Sequence, residues 1–169
     1  RDRDVTGVQT CALPISSLDD FDDPQKLLAR MQAQESDGRY LDIGTDWHAL
    51  HFLLSGDGGL KPHPLPPSLL GKVVQGGTET TWPCTHGHVR SLTPDEVRTI
   101  ADALARISVH DLRSRFSVES FNTAQIYPHG RRARWTAEDA ESVFEIYPSV
   151  VQFFQAAACD GDMILLSSD

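Results

Sequence analysis

The chain has 169 residues, 40% of them hydrophobic, with three Trp and seven Phe; that is the size and composition of one domain with its own core. A formal net charge of −9 argues against nonspecific nucleic-acid or anionic-membrane binding, which needs a basic face, and no apolar run is long enough to span a bilayer. The three cysteines, at 11, 84 and 159, have no paired spacing, so no disulfide framework is indicated and the cytoplasm is the expected compartment.

The first fifteen residues stand apart. Val5 to Ile15 resembles the in-frame translation of a sequencing adapter, no initiator methionine precedes it, and the order of a signal peptide is lacking. Residues 1–15 are therefore set aside as a non-native segment, 16–169 as the single domain, and a native first strand is expected to be missing. Next, Asp22-Asp23-Pro24 starts a helix, because proline has no N–H to lose at the first helical position. Leu27, Leu28 and Met31 give it one apolar stripe as far as Gln34, and Asp37-Gly38 ends it.

Tyr40 to Gly56 is the most informative stretch. Thr45 or Asp46 is the expected cap, Trp47, Ala49, Leu50, Leu53 and Leu54 form a broad apolar face, and Gly56 closes the helix. His48 and His51 lie three apart and so near one another. They suit a general base or a metal pair, but the zinc-helix pattern of histidines four apart with a glutamate between is absent. The weightier reading is structural: a buried His51 bonded to a carbonyl or carboxylate, with His48 partly exposed.

Lys61 to Pro67 is a proline-rich connection, neither helix nor central strand, and its His63 has no suggested partner. Ser68 to Gly77 reads as a helical turn leading into a strand. Trp82 to His88 reads as a loop holding Cys84, His86 and His88. Structural zinc needs four ligands, and only Cys159 and distant histidines could complete this set, so no metal is assigned. Val89 to Leu92 is a short strand.

Thr93-Pro94-Asp95-Glu96 combines a threonine cap, a first-position proline and a glutamate three residues on. The helix it starts buries Val97, Ile100, Ala101, Leu104 and Ile107 at helical period. Ser108 caps a second helix through Leu112 and Phe116. Ser117 caps a third, Val118 to Ala124, with Phe121 inward. Asn122 is placed to bond backbone at this helix end. Tyr127, before a proline, takes an extended backbone. For both, capping or packing outweighs catalysis.

Arg131-Arg132-Ala133-Arg134 is a solvated basic loop. Thr136 with Asp139 opens the last helix, to about Cys159, with Ala140, Val143, Phe144, Tyr147, Val150, Val151, Phe154 and Ala158 inward. Pro148 is expected to kink or split it. Gly161 ends it, and Met163 to Leu166 forms a terminal strand. The fold class is α+β: amphipathic helices packed on a small mixed sheet.

Three blocks together resemble the YfbM-like family, a domain-of-unknown-function family numbered 1877. They are Leu41-Asp-Ile-x-x-x-Trp47-His-x-Leu-His51-Phe-Leu-Leu-x-Gly56; Leu112-Arg-x-x-Phe116 with Asn122-x-x-x-Ile126-Tyr-Pro128; and the C-terminal helix and strand. The resemblance covers about residues 17–168. It implies a small bacterial soluble α+β protein without an assigned activity, starting with a strand and helix upstream of the Asp-rich segment. An interrupted last helix would depart from the family pattern.

No Gly-x-Ser-x-Gly elbow, Cys-x-x-Cys or paired-carboxylate signature appears. The leading expectation is a non-catalytic binding or regulatory module with an unknown protein or small-molecule partner, neither nucleic acid nor membrane, and no cofactor. The charge would suit a basic partner. The alternative is a small-molecule enzyme with its pocket at the Trp47 helix. There His51 or His48 is the base, Asp42 or Asp46 orients it, and Asn122 or Tyr127 holds substrate; Trp47, His51, Asn122 and Tyr127 are the candidate binding residues. A metal bound by His48, His51 and an aspartate ranks last.

Overall fold

The protein is described by a computed structural model covering residues 7–14, 26, 29–30, 33, 38–59, 68–129 and 133–168. Of the helix expected over 24–34, Lys26, Ala29, Arg30 and Ala33 are helical and exposed. Its stripe residues Leu27, Leu28 and Met31 lie outside the described residues, as do the proline-rich stretch with His63 and Arg131-Arg132.

Five strands form one sheet: β1 (Val8–Leu13), β2 (Tyr40–Gly44), β3 (Thr78–Cys84), β4 (Gly87–Leu92) and β5 (Met163–Ser168), in the order β2-β1-β5-β4-β3. Every described pairing is antiparallel, so the sheet is not the mixed one expected. Met163 to Leu166 is buried residue after residue, because β5 lies mid-sheet and meets apolar side chains on both faces. Ile164 and Leu166 join the main core on one face, while Met163 and Leu165 pack with Cys11, Leu13 and Val89 on the other.

The segment set aside in the sequence supplies β1. It pairs with β5 from Val8↔Ser168 to Leu13↔Met163 and with β2 on its other side. Val8 and Ala12 join the main core, Cys11 and Leu13 the second cluster: period-two alternation between two buried faces. Thr10 Oγ donates to the Leu41 carbonyl at 2.8 Å. Burial pushes the Cys11 thiol up to about 12.

The helices are α1 (Trp47–Ser55), α2 (Lys72–Gln75), α3 (Pro94–Leu104), α4 (Val109–Ser114), α5 (Val118–Thr123) and α6 (Glu141–Asp160), the last preceded by a 3-10 turn, Glu138–Ala140. α3 has the reciprocal capping box read from its sequence, Thr93 with Glu96, and Ser108 with Asp111 repeats it on α4. α1 has none: Asp46 occupies its cap position without a side-chain bond to the helix. α6 runs as one helix through Pro148, so it is not split there. Tyr147, on its inner face, places its hydroxyl 3.3 Å from the Leu104 carbonyl and 3.0 Å from that of Ile107. The Leu104 carbonyl, at the end of α3, also accepts from the Ile107 N–H at 3.0 Å, and the buried hydroxyl adds a donor for the carbonyls left over where the helix ends.

One further segment differs from expectation: 82–88 is a hairpin rather than a loop, turning at Thr85-His86 between β3 and β4. Tyr40–Gly44, ahead of α1, is a strand. Pro83 is tolerated because β3 is an edge strand, where a missing N–H costs no ladder bond.

Leu104 is fully buried between α3 and the core, so Leu104→Ala should lower unfolding free energy by about 2–5 kcal/mol. Asp102→Ala, on the exposed face of the same helix, should change it by no more than about 0.5 kcal/mol. Urea unfolding followed by far-UV circular dichroism compares the two.

Candidate functional site

α1 places its two histidines inside. His48 is 1% exposed and His51 3%, so the partly exposed His48 read from the sequence is corrected. The cause is the width of the apolar face: seven of the nine residues of α1 are buried, leaving no polar side for His48. Gly56, with φ 74°, ends the helix by donating its N–H to the Phe52 carbonyl.

Each nitrogen of His48 has a backbone partner. The Tyr127 N–H donates to Nδ1 at 2.9 Å, so Nε2 carries the proton and donates to the Gly58 carbonyl at 3.1 Å. The imidazole thus joins two loops 69 residues apart in the chain. Burial pushes its pKa down from 6.5 to about 4, against the pull of the Gly58 carbonyl. A neutral ring that receives one bond and donates another has no lone pair left for a metal or a substrate proton. Gly58 comes this close because it lacks a side chain: a Cβ there would lie 2.9 Å from the Ala124 Cβ.

His51 differs. Burial pushes its pKa down too, while Asp57 and the Gly71 backbone pull it up. Its Nδ1 is buried without a hydrogen-bond partner, and so is the Trp47 indole Nε1 one turn earlier on the helix. Leaving such a group unmatched costs about 1–3 kcal/mol. Trp47 stacks on His48 with centroids 5.0 Å apart and on Tyr127 at 6.3 Å.

The remaining candidates are engaged elsewhere. Asp42, exposed on β2, accepts from the Gly44 N–H at 2.7 Å. Asp46 accepts from the Ser142 hydroxyl at 3.0 Å; burial pushes its pKa up and the Ser142 bond works against that. Asn122 bonds the carbonyl of Val118 at 2.8 Å and both backbone groups of Trp135, receiving the N–H at 2.8 Å and donating to the carbonyl at 3.2 Å. Trp135 in turn donates its indole N–H to the Ile126 carbonyl at 2.7 Å. The fold therefore gathers Trp47, His48, His51 and Tyr127 around α1. Asp42 stays on the sheet edge, and Asn122 clips the segment before α6.

Sequence reasoning missed Asp57, Gly58, Gly71 and Trp135. Gly58 acts through its backbone carbonyl and Gly71 through its backbone, and backbone groups leave no signature in a side-chain pattern. Of the Cys84, His86 and His88 set, Cys84 ends β3, His86 lies in the turn and the exposed His88 is in β4. Among the described residues no three His, Cys, Asp or Glu side chains group as metal ligands.

A family model, that of the domain of unknown function DUF1877, matches residues 16–167, so β1 lies outside the match. Among solved structures, the chain is similar to a crystal structure of a protein of unknown function, YfbM from Escherichia coli, at TM-score 0.67 and 20% identity, covering 96% of this chain and 99% of that one. At that identity the likeness concerns the fold. No curated protein matches the chain.

The His48 geometry predicts an acid-sensitive fold. Below about pH 6.5 the unfolded chain protonates this imidazole, while the folded chain resists until about pH 4. Stability is thus unaffected above that window and falls as the pH drops through it, by about 3 kcal/mol in total from this group. Urea unfolding at several pH values should show the slope. His48→Gln should flatten it, leaving the smaller part owed to His51.

Proposed function

The chain belongs to the domain-of-unknown-function family DUF1877, and from that premise we propose that it is a non-catalytic binding or regulatory module of the cytoplasm. One observation supports this above the others: four of the polar side chains that could have done chemistry, all but His51 among the candidate bases and their orienting groups, are bonded to the fold. His48 is committed through both nitrogens to backbone, Asn122 to Trp135, Asp42 to Gly44 and Asp46 to Ser142. A general base must reach a substrate proton, and these groups already have partners. No helix among the described residues is long and apolar enough to cross a membrane. The net charge of −9 suits a protein partner with a basic face.

The enzyme reading keeps one supporting observation, the unpartnered Nδ1 of His51. A base there would work from a buried ring whose pKa burial has already pushed down. Asp42, the proposed orienting group, stays with Gly44 on β2.

A thermal-shift screen against a metabolite and metal library, with every hit followed by proton NMR for turnover, separates the readings. The binding module predicts hits of several degrees that remain chemically unchanged over hours. A hit consumed by wild type but not by His51→Ala would replace this reading with the enzyme.

A further inference from the structure

We propose that the sheet face opposite the helical layer is the seat of this chain's own segment 15–37, docked through Leu27, Leu28 and Met31. That face is built by Cys11 and Leu13 of β1, Val89 of β4, and Met163 and Leu165 of β5, none more than 5% exposed, with Tyr40, Trp82 and Cys84 packed against them from the edge strands. Every one of these residues belongs to a strand. Side chains on one sheet face stand side by side and cannot seal one another from water, so a second layer has to lie over them. Among the described residues, α1, α3 and α6 pack with Ile164 and Leu166 on the other face.

Chain continuity names the occupant. Residues 14–39 leave from the end of β1 and return at the start of β2, its antiparallel neighbour, where Cys11 pairs with Tyr40. The connection 60–67 runs from α1 to α2, and 130–132 lies between α5 and the 3-10 turn, so both begin and end in the helical layer. Residues 1–6, four of them charged, precede the other end of β1. Within 15–37, Lys26, Ala29, Arg30 and Ala33 are helical and exposed, one side of a helix at spacings of three and four. Helical period then assigns Leu27, Leu28 and Met31 to the opposite side. A helix over 24–34 is about 16 Å long, enough to cross from β1 to β3 at about 4.8 Å per strand. The Arg30 charge is felt at the Cys11 thiol, as it would be from a helix lying over β1. A second copy is the poorer occupant: at net charge −9 it brings like charge and leaves each copy's own apolar stripe without a seat. The inference goes beyond the binding-module reading, because with this face taken a partner has to dock on the helical layer or the sheet edges.

Methyl NOE spectroscopy of the full chain, with 13C-labelled Leu and Met methyls, tests it. The expected result is NOEs from Leu27, Leu28 or Met31 to Leu13, Met163 or Leu165. Cys11, fully buried, and Cys159, exposed, give a second readout by iodoacetamide labelling and peptide mass spectrometry. Leu28→Asp sets a charge against the apolar face and should speed Cys11 alkylation at least tenfold without changing that of Cys159. Ala29→Asp, on the exposed side, should change neither. If Leu28→Asp does not fold, the wild-type NOEs decide alone. Three results would overturn the proposal: no NOE from the 15–37 methyls to the face, NOEs that appear only between differently labelled copies, or a Cys11 rate untouched by Leu28→Asp.

Discussion

A neutral imidazole buried in a protein has to be given one donor and one acceptor, or it destabilises the fold that buries it. His48 meets that requirement with two backbone groups from different parts of the chain, the Gly58 carbonyl behind α1 and the Tyr127 N–H after α5. Much of the helical layer follows from this. Gly58 must lie close against Ala124 for its carbonyl to reach the ring. Tyr127 must lie flat enough to stack on Trp47. The chain after Ile126 is held again from the other side, where Trp135 caps the Ile126 carbonyl and Asn122 holds the Trp135 backbone. The result is a chain of side-chain-to-backbone bonds that runs from α1 to the start of α6 without an ion pair.

The sheet is built on a different principle. Its central strands β1 and β5 are buried on both faces, so their stability comes from apolar contact and a full ladder rather than from polar bracing. The exposed ion pairs add little by comparison. Arg113 and Glu141 join α4 to α6 through two bonds of 2.6 Å, but both are about half exposed, where such pairs are weak. The same side chain also covers Phe144, its guanidinium 4.3 Å from the ring centroid, so much of its worth is packing.

Against this economy the pair Trp47 and His51 stands out. A fold that spends Asn122, Tyr147, Trp135 and His48 on backbone partners leaves two ring nitrogens of α1 unmatched. Both lie on the helix whose sequence carries most of the family resemblance. The helix thus contains residues of two kinds: His48, which holds the protein together, and Trp47 with His51, whose unmatched nitrogens weigh against it.

Local chemistry settled what the sequence could settle. The capping box at Thr93, the cap at Ser108, the glycine stop at Gly56, most of the inward set of α3 and α6 and the terminal strand depend on residues within a few positions of one another, and these were legible; Phe153 and Ala157, also inward on α6, were not among the residues read. So was the α+β class, since helical and strand periods alternate along the chain. Whatever depends on partners far away in sequence was decided by the tertiary structure. Met163 to Leu166 reads as a strand, but its place at mid-sheet depends on β1 lying beside it. Pro148 breaks an isolated helix, yet α6 stays whole where Tyr147, Val150 and Phe154 are buried against the rest of the core. His48 and His51 look alike in sequence, because nothing local says that one ring will meet Gly58 and Tyr127 while the other keeps a nitrogen unmatched. That distinction is made by backbone groups, which every residue carries and no side-chain pattern reveals.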